Sequence, residues 1–153
     1  MARTHCLTAA SLDVGMTHEA SFVFTHQQVA DYCELCGDYN AIHHNVEAAR
    51  LRFPDASDII VPGGLIQISI TGMFGSEFPG DGSLGLTFTP ERFRKPVLPG
   101  EEISVRLEVT RKRGEMLEFE IAVFDHNKEQ IGAAKSRLIA PDEAYQQWWK
   151  DNS

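Results

Sequence analysis

Hydrophobic residues follow a helical spacing in the front half of the chain and an alternating spacing from about residue 83 onward. Thr25 and Gln28 form a capping box, and the apolar residues after it share one helical face until Gly37, where we expect the helix to end. Residues 65–74 are nearly all apolar and too many for a typical strand. We therefore predict a central helix there, entered at paired glycines and buried on most of its sides.

The back half of the chain has the pattern of an antiparallel sheet. Four alternating segments are separated by short turn signals, and they lie at residues 83–93, 101–112, 116–125 and 130–140. We also predict a strand at 18–24 and a short C-terminal helix capped by Asp142. One apolar helix with an antiparallel sheet makes an α+β fold in which the helix lies against the sheet. Apolar residues on both faces of the strands indicate that a second copy covers the outer face.

Composition indicates one acidic domain. A chain of 153 residues is long enough to bury a core without disulfides or metals. We treat residues 1–153 as a single domain, with an N-terminal lead at 1–17 and a C-terminal tail at 142–153. The 22 Asp and Glu outnumber the 14 Lys and Arg, which gives a formal net charge of -8. This charge argues against nucleic acid and anionic membranes as partners, because both attract basic surfaces.

The three cysteines, Cys6, Cys33 and Cys36, are too few for a disulfide framework. The chain also lacks a secretory leader pattern and an apolar run long enough to cross a membrane, so we expect a cytoplasmic protein with free thiols. Cys33 and Cys36 form a CxxC pair, which could bind zinc together with His43 or His44. A second pair is missing, and both cysteines fall on the predicted helix, so buried structural cysteines are the better interpretation.

Polar and titratable residues concentrate in residues 37–44, a stretch without helical period that we interpret as a loop. Asp38 and His43 lie there five positions apart, so both side chains can face one space. A carboxylate beside an imidazole can orient a water molecule and move its proton near neutral pH. The residue types alone favour a simpler interpretation, in which Asp38 caps a turn and His43 is a surface residue.

Three motifs in a fixed order favour the catalytic interpretation of Asp38 and His43 instead. Residues 37–43 match the motif Gly-Asp-x-Asn-Pro-aliphatic-His, with Ala41 in place of the proline. Residues 60–63 match aliphatic-Val-His-Gly, with Pro62 in place of the histidine, and residues 93–101 match Phe-x-x-Pro-Val-x-x-Gly-acidic. With these motifs the chain resembles the MaoC-like, (R)-specific enoyl-CoA hydratase family, whose fold is the hot dog, over most of its length.

The resemblance implies an antiparallel sheet wrapped around a long central helix, and it implies roles for particular residues. Asp38 and His43 would activate the water that adds to a trans-2-enoyl thioester. The backbone N–H of Gly63 would polarise the thioester carbonyl, which is reasonable because a helix N-terminus has unpaired N–H groups and a positive dipole end. Asn40 would hold the loop. Thr71 would place a hydroxyl near the site, unless it bonds to its own helical turn.

The resemblance also implies an acyl thioester of coenzyme A or of an acyl carrier protein as substrate. It implies a homodimer or higher homo-oligomer, and neither a metal nor a redox cofactor. A polyanionic carrier has to approach an acidic protein, so we expect a basic entrance formed by Arg92, Arg94 and Lys95. The alternative for this cluster is a solvated strand edge.

The leading hypothesis is a hydro-lyase that reversibly hydrates a trans-2-enoyl thioester to a 3-hydroxyacyl thioester. Two alternatives keep the fold. An acyl-CoA thioesterase would use Asp38 as a base or nucleophile, and a non-catalytic module would only bind acyl thioesters, which would suit Pro62 in the second motif. The complete set of Asp38, Asn40 and His43 argues against the non-catalytic alternative, since simple binding does not need all three.

Overall fold

The computed structural model describes residues 4–153 and contains five strands and four α-helices in that range. The strands are β1 (Thr17–Val23), β2 (Leu84–Pro90), β3 (Glu102–Arg113), β4 (Met116–Phe124) and β5 (Gln130–Ile139). The helices are α1 (His26–Cys36), α2 (Val46–Arg52), α3 (Gly63–Ser76) and α4 (Glu143–Asn152). All strands belong to one antiparallel sheet in the order β1-β3-β4-β5-β2.

This architecture confirms the α+β prediction and the hot-dog arrangement, because the sheet wraps around α3. The buried side chains of α3 join the inward side chains of the strands in one core. The ring of Phe74 on α3 meets the ring of Phe119 on β4 edge to face, with 5.0 Å between their centroids. The inward positions of β3 and β4 are all buried, and they are Ile103, Val105, Leu107, Val109, Leu117, Phe119, Ile121 and Val123.

The burial of α3 is less complete than its sequence predicts. The helix begins at Gly63, and the carbonyl of Pro62 accepts the N–H of Leu65 at 3.0 Å. Ile68 is half exposed, and Thr71 and Gly72 are exposed. One side of α3 therefore faces away from the sheet.

The outer face of the sheet is polar, so the expectation of apolar residues on both faces is wrong. Charged side chains lie there on neighbouring strands, since Glu108 on β3 is opposite Glu120 on β4, and Glu120 is opposite Lys135 on β5. Arg106 lies on the same face, in a shallow depression with these three residues. Hydrated charges need no cover, so this face gives no reason for a second copy.

The segment before β1 packs on the core, whereas the C-terminal helix lies on the surface. In the N-terminal lead, Cys6 and Leu12 are buried, and Cys6 forms an isolated bridge with Gly80. Residues 1–3 of the predicted lead lie outside the described residues. Helix α4 confirms the predicted C-terminal helix, and Asp142 caps it by accepting the N–H of Tyr145 at 2.7 Å. None of the helices in the part of the chain that the structure describes is long and apolar enough to cross a membrane.

Candidate active site

The end of α1 fixes the start of the loop that carries the candidate residues. Gly37 adopts φ 73 and ψ 27, a left-handed conformation that costs glycine little. The N–H of Asp38 then donates to the carbonyl of Cys33 at 3.0 Å, which closes the helix as in a Schellman motif. Asp38 is therefore held directly against the last turn of α1.

Two hydrogen bonds from backbone N–H groups to side chains two residues earlier shape the rest of the loop. The Oδ1 atom of Asp38 accepts the N–H of Asn40 at 3.1 Å, and the Oδ1 atom of Asn40 accepts the N–H of Ile42 at 3.4 Å. The second bond caps one turn of 3-10 helix, Ala41–His43. This turn brings His43 back towards Asp38, and alanine at position 41 forms it without the proline of the motif.

Asp38 and His43 face each other, with 3.5 Å between Oδ2 of Asp38 and Nε2 of His43. The side chain of His43 is only 9% exposed, whereas that of Asp38 is 36% exposed. The Nδ1 atom of His43 lies 2.7 Å from the carbonyl oxygen of Ile60. Because a carbonyl only accepts, Nδ1 carries a hydrogen and donates it. In the neutral ring, Nε2 therefore has its lone pair on the side of Asp38.

The same segment leads into α3. The N–H of Ile60 donates to the carbonyl of Ile42 at 3.0 Å, so the loop and the segment before α3 are joined in both directions. Gly63 is the first residue of α3, and its N–H has no hydrogen-bond partner within residues 4–153. It is an unpaired donor at the positive end of a helix dipole. Pro62 lacks only its own N–H, so it does not remove this donor.

Residues of helix α2 and the segment after it pack against the loop. Ala49, Ala56 and Ile60 form a small buried cluster, and Ile42 and Phe53 pack against it. These contacts hold the carbonyl of Ile60 in place to accept from His43. A buried histidine whose Nδ1 donates to a backbone carbonyl differs from the surface residue that the residue types alone would favour.

Thr71 lies elsewhere. Its Oγ1 donates to the carbonyl of Ile68 at 2.8 Å, which is the bond to its own helical turn. It lies about 12 Å along the helix axis from Gly63, at a rise of 1.5 Å per residue. It lines a separate groove of about 320 Å³ between α3 and strands β2 and β5. Within this chain the structure does not bring Thr71 to Asp38 and His43.

Phe93 reaches the site, although sequence reasoning used it only as a motif residue. A Cβ placed on Gly63 would lie 3.5 Å from the Phe93 ring, and one placed on Gly132 of β5 would lie 2.7 Å from it. The ring therefore packs between the start of α3 and β5, and the second contact requires glycine. An aromatic residue followed far downstream by an isolated glycine within a strand was the available signal.

The basic cluster flanks this ring. Arg92 and Arg94 are exposed on either side of Phe93, which places them near the start of α3. Lys95 pairs with Glu129, and the hydrogen bond with that carboxylate raises the pKa of Lys95. The two arginines are therefore more available to an anionic ligand than the lysine is.

The two cysteines of the CxxC pair differ in exposure. Cys33 is buried, as predicted, and burial raises the pKa of its thiol, with further contributions from Asp38 and Cys36. Cys36 is exposed, so the prediction of a buried residue is wrong there. Among the described residues, no three His, Cys, Asp or Glu side chains gather in a way that would hold a metal ion.

Comparisons with known proteins show the family to which the chain belongs. The family model of the MaoC like domain matches residues 8–130. The (R)-specific enoyl-CoA hydratase of Aeromonas caviae is 33% identical over 108 residues, which cover 70% of this chain and 78% of that protein. The chain belongs to the MaoC-like domain family.

Solved structures of similar proteins have the same fold. The R-hydratase PhaJ1 from Pseudomonas aeruginosa in the unliganded form has a TM-score of 0.80 at 25% identity, over 90% of this chain and 88% of that one. The (R)-hydratase of A. caviae involved in PHA biosynthesis has a TM-score of 0.77 at 26% identity, over 86% of this chain and 98% of that one.

Proposed function

We propose that this protein is a hydro-lyase that adds water to a trans-2-enoyl thioester and removes it again from the 3-hydroxyacyl thioester. The observation that carries the proposal is the pair of Asp38 and His43, 3.5 Å apart, with His43 bonded to the carbonyl of Ile60, three residues before the start of α3. Each side chain uses one atom to hold the backbone and leaves the other for a shared water. Membership of the MaoC-like family and the similarity to an (R)-specific enoyl-CoA hydratase support the same reaction.

The proposed chemistry is general acid–base catalysis on a bound water. The water lies against Oδ2 of Asp38 and Nε2 of His43, and its oxygen bonds to C3 of the enoyl group. The electrons of the double bond move towards C2 and the thioester oxygen, where the Gly63 N–H stabilises the developing charge. One proton of the water passes to the pair, and the pair delivers a proton to C2. Dehydration is the reverse of these steps.

Arg92, Arg94 and Lys95 are proposed to form the entrance for the carrier of the acyl group. Their placement beside Phe93 and Gly63 supports this role, since phosphates of coenzyme A or of a phosphopantetheine arm would meet exposed guanidinium groups near the site. We assign the main contribution to the two arginines, because Lys95 is paired with Glu129.

We also propose that the protein acts as a homodimer in the cytoplasm. Strand β2 lies at the edge of the sheet and exposes Leu84 and Leu86, at 64% and 53% of their surface. An apolar edge strand of this kind is a natural place for a second copy to pair. The three free cysteines are typical of a reducing compartment.

Hydration of crotonyl-CoA, followed as the loss of absorbance of the conjugated thioester, tests the proposal. We expect activity in the wild type and a large loss in His43→Ala. A thiol reagent in a parallel assay separates hydration from thioester hydrolysis, because only hydrolysis releases free coenzyme A. Thiol release by the wild type, or an unchanged rate in His43→Ala, would reject the assignment.

A further inference from the structure

Tyr32 on α1 reaches the start of α3. A Cβ placed on Gly64, the second residue of α3, would lie 1.9 Å from the Tyr32 hydroxyl oxygen and 3.0 Å from Cζ. The hydroxyl therefore occupies the volume in which any side chain at position 64 would begin. Two other glycines of α3, Gly72 and Gly75, have nothing within 4 Å of the same position. The close approach is specific to the end of the helix that carries Gly63.

The Tyr32 hydroxyl is a neutral group in this place. Burial raises the pKa of Tyr32, with further contributions from the neighbouring Cys36 and from the negative charge of Asp38. The hydroxyl therefore keeps its proton across the range in which a hydratase works. Tyr32 lies one helical turn before Cys36, and Asp38 follows directly after this helix.

Helix α1 and helix α3 each hold one part of the proposed catalytic machinery. The end of α1 holds Asp38 through the N–H bond to Cys33, and the start of α3 presents the N–H of Gly63. The relative position of the two helix ends therefore sets the distance between the water-binding pair and the carbonyl-binding donor. Tyr32 lies against Gly64 at this junction.

We propose that Tyr32 is a positioning residue, whose hydroxyl fits against Gly64 and thereby places the Gly63 N–H relative to Asp38 and His43. The inference rests on the proposed hydratase function and adds a size-matched pair to it: a residue with a hydroxyl at position 32 and no side chain at position 64. It acts on the reaction through the backbone of α3, without contact to the substrate.

The test is a size exchange between the two positions. Gly64→Ala places a methyl group in the space that the Tyr32 hydroxyl occupies, so the start of α3 should be displaced. Because a misplacement of about 1 Å lowers the rate about 100-fold, we expect kcat to fall by about that factor. KM should change much less, because the basic entrance is untouched. In the double variant Tyr32→Phe/Gly64→Ala the nearest atom is Cζ at 3.0 Å, so the methyl group takes over the space of the hydroxyl and most of the lost kcat should return.

Gly72→Ala is the matched control, since it adds the same methyl group to the same helix where nothing lies within 4 Å. We expect it to keep the wild-type kcat. If Gly64→Ala is as active as this control, or if the double variant is no better than Gly64→Ala, the positioning role is wrong. If Gly64→Ala does not fold, a folded and active double variant supports the pairing, and a double variant that is unfolded or inactive overturns it.

The outcome for the wild type separates this inference from the function on which it rests. A wild type that does not hydrate any enoyl thioester rejects the proposed function and the positioning role with it. An active wild type whose two substitutions have independent effects on kcat rejects the positioning role alone.

Discussion

Replacing Asp38 with asparagine would remove a charge from the site and keep its local structure. The asparagine amide oxygen can still accept the N–H of Asn40, which Oδ1 of Asp38 accepts at 3.1 Å. The Asp38 side chain is 36% exposed, and its partner at 3.5 Å is a histidine, which is charged only when protonated. We therefore expect the free energy of unfolding to change by less than about 1 kcal/mol.

The effect on catalysis should be much larger. A positioned acid–base group contributes about 10²- to 10⁴-fold to the rate. At 1.36 kcal/mol for each factor of ten, this corresponds to about 3 to 5 kcal/mol of transition-state stabilisation. Asp38→Asn should lower kcat/KM for crotonyl-CoA by that factor in the absorbance assay, while thermal unfolding stays close to that of the wild type.

A second carboxylate–histidine pair provides the control. Oε2 of Glu77 lies 2.6 Å from Nε2 of His18, and Glu77 follows the C-terminal end of α3, about 20 Å along the axis from Gly63. Glu77→Gln should therefore retain full activity. Full activity in Asp38→Asn, or a loss of stability that accounts for its loss of activity, would refute the assignment of Asp38 as an acid–base group.

Three further measurements test the surroundings of the site. A thiol reagent should modify exposed Cys36 faster than Cys33, which is buried and has a raised pKa, and equal rates would contradict their placement. Gly132→Ala would bring a methyl group to 2.7 Å from the Phe93 ring, so thermal denaturation should show a loss of about 1–3 kcal/mol, and unchanged stability would contradict the contact. Arg94→Gln should raise KM for an acyl-CoA about tenfold with little change in kcat, and an unchanged KM would exclude a role in binding.

The parts of the fold that depend on neighbouring residues were predictable from the sequence. The capping box at Thr25 and the left-handed Gly37 set both ends of α1 through bonds within one or two turns. The apolar run at 65–74 predicted α3, because a run of so many consecutive apolar residues favours a buried helix at the centre of a domain. The strands followed from their alternation.

The features that join distant segments were not predictable. The spacing of Asp38 and His43 allowed them to meet, but the orientation of the imidazole comes from the Ile60 carbonyl, 17 residues further along the chain. The contact of Tyr32 with Gly64 likewise depends on how α1 packs against α3. The prediction for the outer face of the sheet was wrong. Alternation within one strand shows which of its residues share a face, but the polarity of the whole face depends on all the strands that lie side by side in the sheet.

The most direct test of the proposed function is the product that the wild-type protein forms from a trans-2-enoyl-CoA. Mass spectrometry should show addition of one water, and we expect chiral analysis of the released acid to give the (R)-3-hydroxy isomer, by analogy with the (R)-specific hydratase of A. caviae. Addition of water should disappear when Asp38 and His43 are both replaced. Unchanged enoyl-CoA across short and medium chain lengths, or release of the free acid and coenzyme A by the enzyme itself, would contradict the assignment of a hydratase.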